Sequence, residues 1–232
     1  MADTAYNRTG EQPAVLPLPV HNGEALDALL RRFLRHHERV FVCMPNLGPG
    51  SIGAVMEDAV VRLGCKPVLL GEDWRWKTIL RQSFDSRCST LIAHPRVVLG
   101  LSKLARMTGT PLYIRNVLLA GAPAPEWLCG GIQRGLDCRI WGCFRPEDDA
   151  DEQDPALETL REQILRWNSV LDYRVRRTDM GLEMEIVSFP AERLPKIPSC
   201  ARLNARTWCP EEDSPFFLEA AWENSVFYGE SH

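Results

Sequence analysis

Long apolar runs are missing from this 232-residue sequence. Nothing in it approaches the roughly 18–20 residues that a membrane-crossing helix needs, so no helical span is expected. Met1 to Val20 is polar and proline-spaced, without the basic start and apolar core of a secretory signal, and the cytoplasm is the expected location. An excess of positive charge is missing too. A formal charge of −4 and a pI near 5.8 supply no broad field for phosphate backbones, which argues against nucleic acid as a partner. Paired cysteines are lacking: Cys43, Cys65, Cys88, Cys129, Cys138, Cys143, Cys200 and Cys209 fall singly, with no CxxC and no zinc-knuckle spacing. Several lie in apolar runs such as Phe41-Val42-Cys43-Met44, where a thiol behaves as a small core hydrophobe, so they are expected reduced and mostly buried. No Ser-His-Asp or Cys-His set is readable, and Cys200 has no local base to activate it.

What is present is ordinary globular chemistry, 45% hydrophobic and 25% charged, enough for one medium domain or a domain with a small appendage. Residues 1–23 read as a loose leader. Helical spacing runs from Glu24 to His37 through Leu26, Leu29, Leu30, Phe33 and Leu34, with Asn22 as a plausible N-cap. Arg39 to Met44 is a short buried strand. Ala54 to Leu63 follows as a helix stopped by Gly64. Strand patterns recur at Lys66–Leu70, Ser89–Ala93, Ile114–Ala120 and Cys138–Trp141. Helical patterns separate them at Trp74–Phe84, Val97–Thr108 (stopped by Gly109) and Pro125–Arg134.

That alternation with short links predicts an α/β fold, a mainly parallel sheet with helices on both faces. Ligands of such sheets sit beyond the carboxyl ends of the strands, which singles out the loops 46–53, 93–97 and 121–125. The acidic stretch after Arg145 divides the chain, giving an α/β domain over 24–147 and a linker over 148–155. A small α+β unit over 156–209 is then expected. It holds an amphipathic helix from Ala156 to Trp167 and two alternating strands, Leu171–Arg176 and Leu182–Val187, around a turn at 179–181. The tail, 210–232, is rich in aromatic residues, Phe216 and Trp222 among them, which docking on the body or on a partner would explain.

The stretch Ile114 to Pro123, then a helix, then Leu136 to Gly142, resembles the adenylate-forming superfamily. It is most similar to the phenylacetate–CoA ligase branch, where a "GGEP" or "GAP" loop precedes a helix and a strand ending in Tyr-Gly. Arg62 to Val68 resembles that branch's "RLGATVIP" segment, Leu91 to Pro95 its "VLCGTPSY" segment, and Leu194 to Arg202 the "LPRSEGKAKR" ending of its mobile C-terminal domain. Together these cover about residues 24–147 and 156–207 of a shortened relative. The resemblance implies a nucleotide site, with Gly121, Ala122 and Pro123 against the adenine ring and Trp141 and Gly142 near the same pocket. Glycine allows close backbone approach and indole offers a flat face. The same residues also read as a tight strand-to-helix turn with a core tryptophan, and both readings stand.

The departures from the family weigh more. Adenylation brings two anions together, so positive charge and a metal must be supplied. No Ser/Thr/Gly-rich phosphate loop with its lysine is readable. Where the family follows Tyr-Gly with a hydroxyl residue and a metal-holding glutamate, this chain has Cys143-Phe144-Arg145, and Glu147 could substitute only with a two-residue shift. The position of the final catalytic lysine holds Cys200, with Lys196 at the arginine position. The segment carrying the ribose-gripping aspartate is replaced by the short acidic linker.

Two functions follow. One is a catalytically incomplete, ligase-like binding or partner protein that retains part of an adenine or acyl pocket, with AMP or ATP bound weakly and no metal. The other is a subunit of an AMP-forming acyl–CoA ligase whose phosphate loop comes from another chain. Either implies a homo-oligomer or heteromer, with a small-molecule ligand and no membrane or nucleic-acid partner. His94 and Pro95, in a strand-end loop, could line a pocket, with His94 as a base or merely a polar turn residue. His36-His37, among Arg31, Arg32, Arg35 and Arg39, reads as a solvated face rather than a metal site.

Overall fold

A computed structural model describes residues 15–17, 23–48, 50–121, 124, 126–144, 164, 169–178, 181–189 and 201–216. The strand–helix alternation becomes a six-stranded sheet with β1 at Val15–Pro17, β2 at Arg39–Cys43, β3 at Lys66–Leu69, β4 at Thr90–Ala93, β5 at Asn116–Ala120 and β6 at Arg139–Phe144. The order across the sheet is β1-β6-β5-β4-β2-β3, and every pairing is parallel. The helices between are α1 (Gly23–Leu30), α2 (Ile52–Arg62), α3 (Trp76–Asp85), α4 (Pro95–Thr108) and α5 (Glu126–Gly135).

Both faces of the sheet are covered, as the unbroken apolar strands require. Successive side chains point to opposite faces of a strand. Val40, Val42, Ile92, Leu118 and Ala120 therefore pack on one side with Leu26, Leu29 and Leu30 of α1 and Met56 and Val60 of α2. Phe41, Leu91, Ala93, Val117 and Leu119 pack on the other with α3, α4 and α5.

The C-terminal strands β7 (Val170–Thr178), β8 (Gly181–Ser188) and β9 (Ala201–Thr207) form a second sheet in that order, β7 and β8 antiparallel and β8 and β9 parallel. It is not an independent body. Val170, Tyr173, Met184, Ile186 and Phe216 share one hydrophobic cluster with α4. Sandwiched between two sheets, α4 is buried from Val97 to Ala105 without a break, as a helix enclosed on all sides must be. Gly100 lets that helix approach α3: a methyl group there would come 2.2 Å from Cη2 of the fully buried Trp76.

Three differences from the sequence reading have local causes. The leader supplies β1, which pairs with Gly142–Phe144 at the sheet edge. The first helix stops at Leu30 rather than His37, because a turn closed by Glu38 accepting the Arg35 N–H at 2.8 Å redirects the chain. Ala201–Thr207, whose first two residues end the family motif read at Leu194 to Arg202, is a strand. The proposed helix at 156–167 (Ile164 apart), Asn22, the acidic linker, Lys196 and Cys200 lie outside the described residues.

Candidate strand-end site

The strand order reverses once. β3 lies to one side of β2 and β4 to the other, so the topological switch point falls between β2 and β4. Open α/β sheets bind ligands at the carboxyl ends flanking such a point. Met44 follows β2 there, His94 follows β4 and Gly121 follows β5. They converge: a methyl group on Gly121 would lie 3.5 Å from Met44 Cε, 3.7 Å from Ile52 Cδ1 and 3.8 Å from His94 Cδ2. Gly121 has φ +85°, a left-handed conformation that favours glycine, so the chain turns sharply out of β5. Nearby, Ser51 caps α2, its Oγ accepting the Ala54 N–H at 3.4 Å, and the Gly53 N–H donates to the Pro45 carbonyl at 3.1 Å.

Of the residues marked in the sequence, His94, Pro95 and Gly121 therefore meet at one end of the sheet. His94 is buried and serves as the N-cap of α4, with Nδ1 accepting the Arg96 N–H at 3.3 Å, and Pro95 opens the helix. An accepting Nδ1 leaves the ring proton on Nε2. Burial, and then the neighbouring Arg96 charge, holds the His94 pKa well below 6.5, so the ring is neutral at pH 7. The structure makes it a helix cap whose Nδ1 lone pair is engaged.

Trp141 lies elsewhere. It pairs with Leu118 in mid-strand, three positions before the level of Gly121, or about 10 Å along a strand. Its indole faces the α1 side, stacked on Phe33 at 4.9 Å between ring centroids, with the Arg32 guanidinium 5.7 Å from the ring. Gly142 is buried beside it and pairs with Leu119. Ala122, Pro123, Arg145 and Glu147 lie outside the described residues.

Sequence reasoning missed the polar cluster that joins the two sheets. Arg96 Nη2 donates to Asp172 Oδ1 at 2.7 Å and also to the Tyr173 carbonyl. Asp172 accepts the Tyr173 and Phe216 N–H groups, each at 2.8 Å. Lys103 Nζ donates to the Val170 carbonyl at 2.8 Å, and burial pulls its pKa down to about 7. A lysine inside the apolar run of α4 was the available signal. Burial pushes the Cys43 and Cys138 thiols up to about 12 and Cys129 to about 11, so none of these three offers a ready thiolate. Among the described residues, no group of three or more His, Cys, Asp or Glu side chains is placed to hold a metal. No described helix is long and apolar enough to cross a membrane.

No protein-family model and no curated protein matches the chain. Solved structures do. A 2-hydroxyisobutyryl-CoA ligase in the postadenylation state, in complex with R3-HIB-AMP, aligns over 98% of this chain and 76% of its own, at TM-score 0.54 and 8% identity. The chain has the fold of an acyl-CoA ligase. A thioesterification-state structure of a 2-hydroxyisobutyryl-CoA ligase aligns over 61% of this chain and 31% of its own, at TM-score 0.45 and 12% identity. The amide bond synthetase McbA from Marinactinospora thermotolerans aligns over 76% of this chain and 36% of its own, at TM-score 0.46 and 17% identity. The chain thus spans less than a third of the length of the ligase in the thioesterification state. Within the ligase fold, its described strand ends carry Met44, His94 and Gly121.

Proposed function

We propose that this chain is a catalytically incomplete member of the phenylacetate–CoA ligase branch, acting as a binding or partner protein rather than as an adenylating enzyme. One observation carries the reading. Cys143 and Phe144 lead into Arg145, which stands where the family keeps its metal-holding glutamate, and both are strand residues of β6, in register with Ala120 and Pro17. Neither side chain can hold a phosphate-bound divalent ion, and the next residue, Arg145, is cationic.

The ligand region is the switch-point end of the sheet, where backbone groups of Gly121, Ala122 and Pro123 would meet an adenine edge or an acyl chain beside Met44 and His94. Trp141 and Gly142 act from mid-sheet, shaping the strand that carries the loop. The aromatic composition of the tail, with Phe217, Trp222 and Phe227, supports a homo-oligomer or heteromer, because apolar rings of this kind concentrate at interface cores. Crystals soaked in AMP test the binding half of the reading. Density for a base against residues 121–123 supports it, and an empty strand end at saturating AMP overturns it.

A further inference from the structure

The opposite end of the sheet holds a second feature, independent of the ligase reading. Where β2, β4, β5 and β6 begin, a groove of about 1050 Å³ opens between the turn after α1 and the strand heads. Arg31, Arg35, His36 and His37 line it from the turn, and Arg115 and Arg139 from the starts of β5 and β6. With Arg32 it holds five arginines against two carboxylates, Glu38 and Asp137, a formal +3 on a chain of −4. Charge segregated in this way focuses a positive potential in the groove.

The carboxylate of Glu38 belongs to the wall. It accepts the Arg35 N–H at 2.8 Å, the Thr90 hydroxyl at 2.9 Å and the Ser89 hydroxyl. Arg32 is engaged over Trp141. Among the described residues, the side chains of Arg31, Arg35, Arg115 and Arg139 have no ion pair or hydrogen bond, although each is exposed to the groove. Basic residues at this end of an α/β sheet can simply complement helix C-termini. Arg62, Arg106 and Arg134 do so from the last turns of α2, α4 and α5, but Arg115 and Arg139 sit at strand heads.

The turn itself is fixed. His37 adopts a left-handed backbone at φ +66° and donates its N–H to the Gly64 carbonyl at 2.9 Å. The His36 ring lies on Gly64 so closely that a methyl group there would come within 2.3 Å of Nε2. Strained backbone held by its surroundings is characteristic of binding sites.

The geometry points to a binding site for a small molecule carrying several phosphate groups. Guanidinium forks match phosphate oxygens in pairs. The volume, at the upper limit of the roughly 300–1,000 Å³ of small-molecule sites, leaves room for one compact ligand. A long polyanion would meet the chain's overall negative charge beyond the groove.

Titration calorimetry of the full chain with tripolyphosphate tests the site at low and at physiological salt. Expected is saturable one-to-one binding that weakens with salt. It should weaken tenfold or more in the Arg115→Ala/Arg139→Ala variant, and independently in Arg31→Ala/Arg35→Ala, while Arg81→Ala on α3 leaves it unchanged. All five side chains are exposed, so circular dichroism should show each variant folded. No binding at millimolar tripolyphosphate overturns the proposal, as does affinity that all variants retain. A hexaglutamate peptide binding as tightly as tripolyphosphate also overturns it, by making the groove a carboxylate site.

Discussion

Arg96 and Asp172, 76 residues apart in sequence, form the 2.7 Å ion pair that fastens the small sheet to α4. Asp172 is almost fully buried, Arg96 keeps about a quarter of its side chain exposed, and the Arg96 Nε has no partner. The same carboxylate receives the N–H of Phe216, whose ring lies under the Arg174 guanidinium at 4.6 Å. One side chain thus ties together α4, β7 and the start of the C-terminal segment. A bulge between Val170 and Asp172 sets it in place.

Asp172→Ala should therefore be among the most destabilising single changes. It leaves Arg96 largely buried and unpaired, a loss of about 3 kcal/mol. Arg96→Met combined with Asp172→Leu should recover most of that, because replacing both partners removes the orphaned charge. Urea unfolding measures both, and a single variant within about 0.5 kcal/mol of the parent would remove the pair from the account.

Lys103 predicts a pH dependence at the same junction. Desolvation lowers its pKa to about 7 from 10.5, with Asp172 opposing the shift and Arg106 adding to it. Between those values the unfolded chain keeps the proton that the folded chain has released, so stability rises with pH through this window. Below pH 7 both states hold the proton and the contribution is flat. Unfolding free energy should increase by about 3 kcal/mol from pH 7 to 9.5. Lys103→Met should lose most of that slope, and an unchanged slope would assign it to other groups.

The elements that position these residues were legible to different degrees. Arg39–Cys43 and Asn116–Ala120 could be read because both faces of a parallel strand are buried, which writes an unbroken apolar run into the sequence. Gly64 and Gly109 marked helix ends through their positive φ of +70° and +66°. Val15–Pro17 could not be read, since three residues hold strand form only through β6. Ala201–Thr207 alternates Ala201, Leu203 and Ala205 with polar residues, and its pairing with β8 is a tertiary fact. At the site, the clustering of loops at the strand ends followed from the α/β pattern. That His94 caps α4 is a local contact that the sequence left open beside a pocket role, whereas the stacking of Phe33 on Trp141 depends on distant segments meeting.

Nucleotide binding should be weak and indifferent to magnesium. Backbone contacts at Gly121 to Pro123 can supply only a few kcal/mol, which places AMP and ATP dissociation constants at about 0.1–1 mM. Calorimetry with ATP, with and without magnesium, should give the same value. Micromolar binding that requires the metal would restore a complete phosphate site.

Light scattering should return a mass above the 26.3 kDa of one chain. An interface stable at micromolar concentration buries more than about 1,000 Å². A monomer would leave only assembly with a different partner.

The most direct measurement is pyrophosphate release by the purified chain supplied with ATP, magnesium and a panel of aliphatic and aromatic carboxylic acids. With Cys143 and Phe144 paired inside β6 and Arg145 at the position of the metal-holding glutamate, no release above the protein-free rate is predicted for any acid. Sustained pyrophosphate release dependent on one carboxylic acid, from the chain without a partner, would contradict the account.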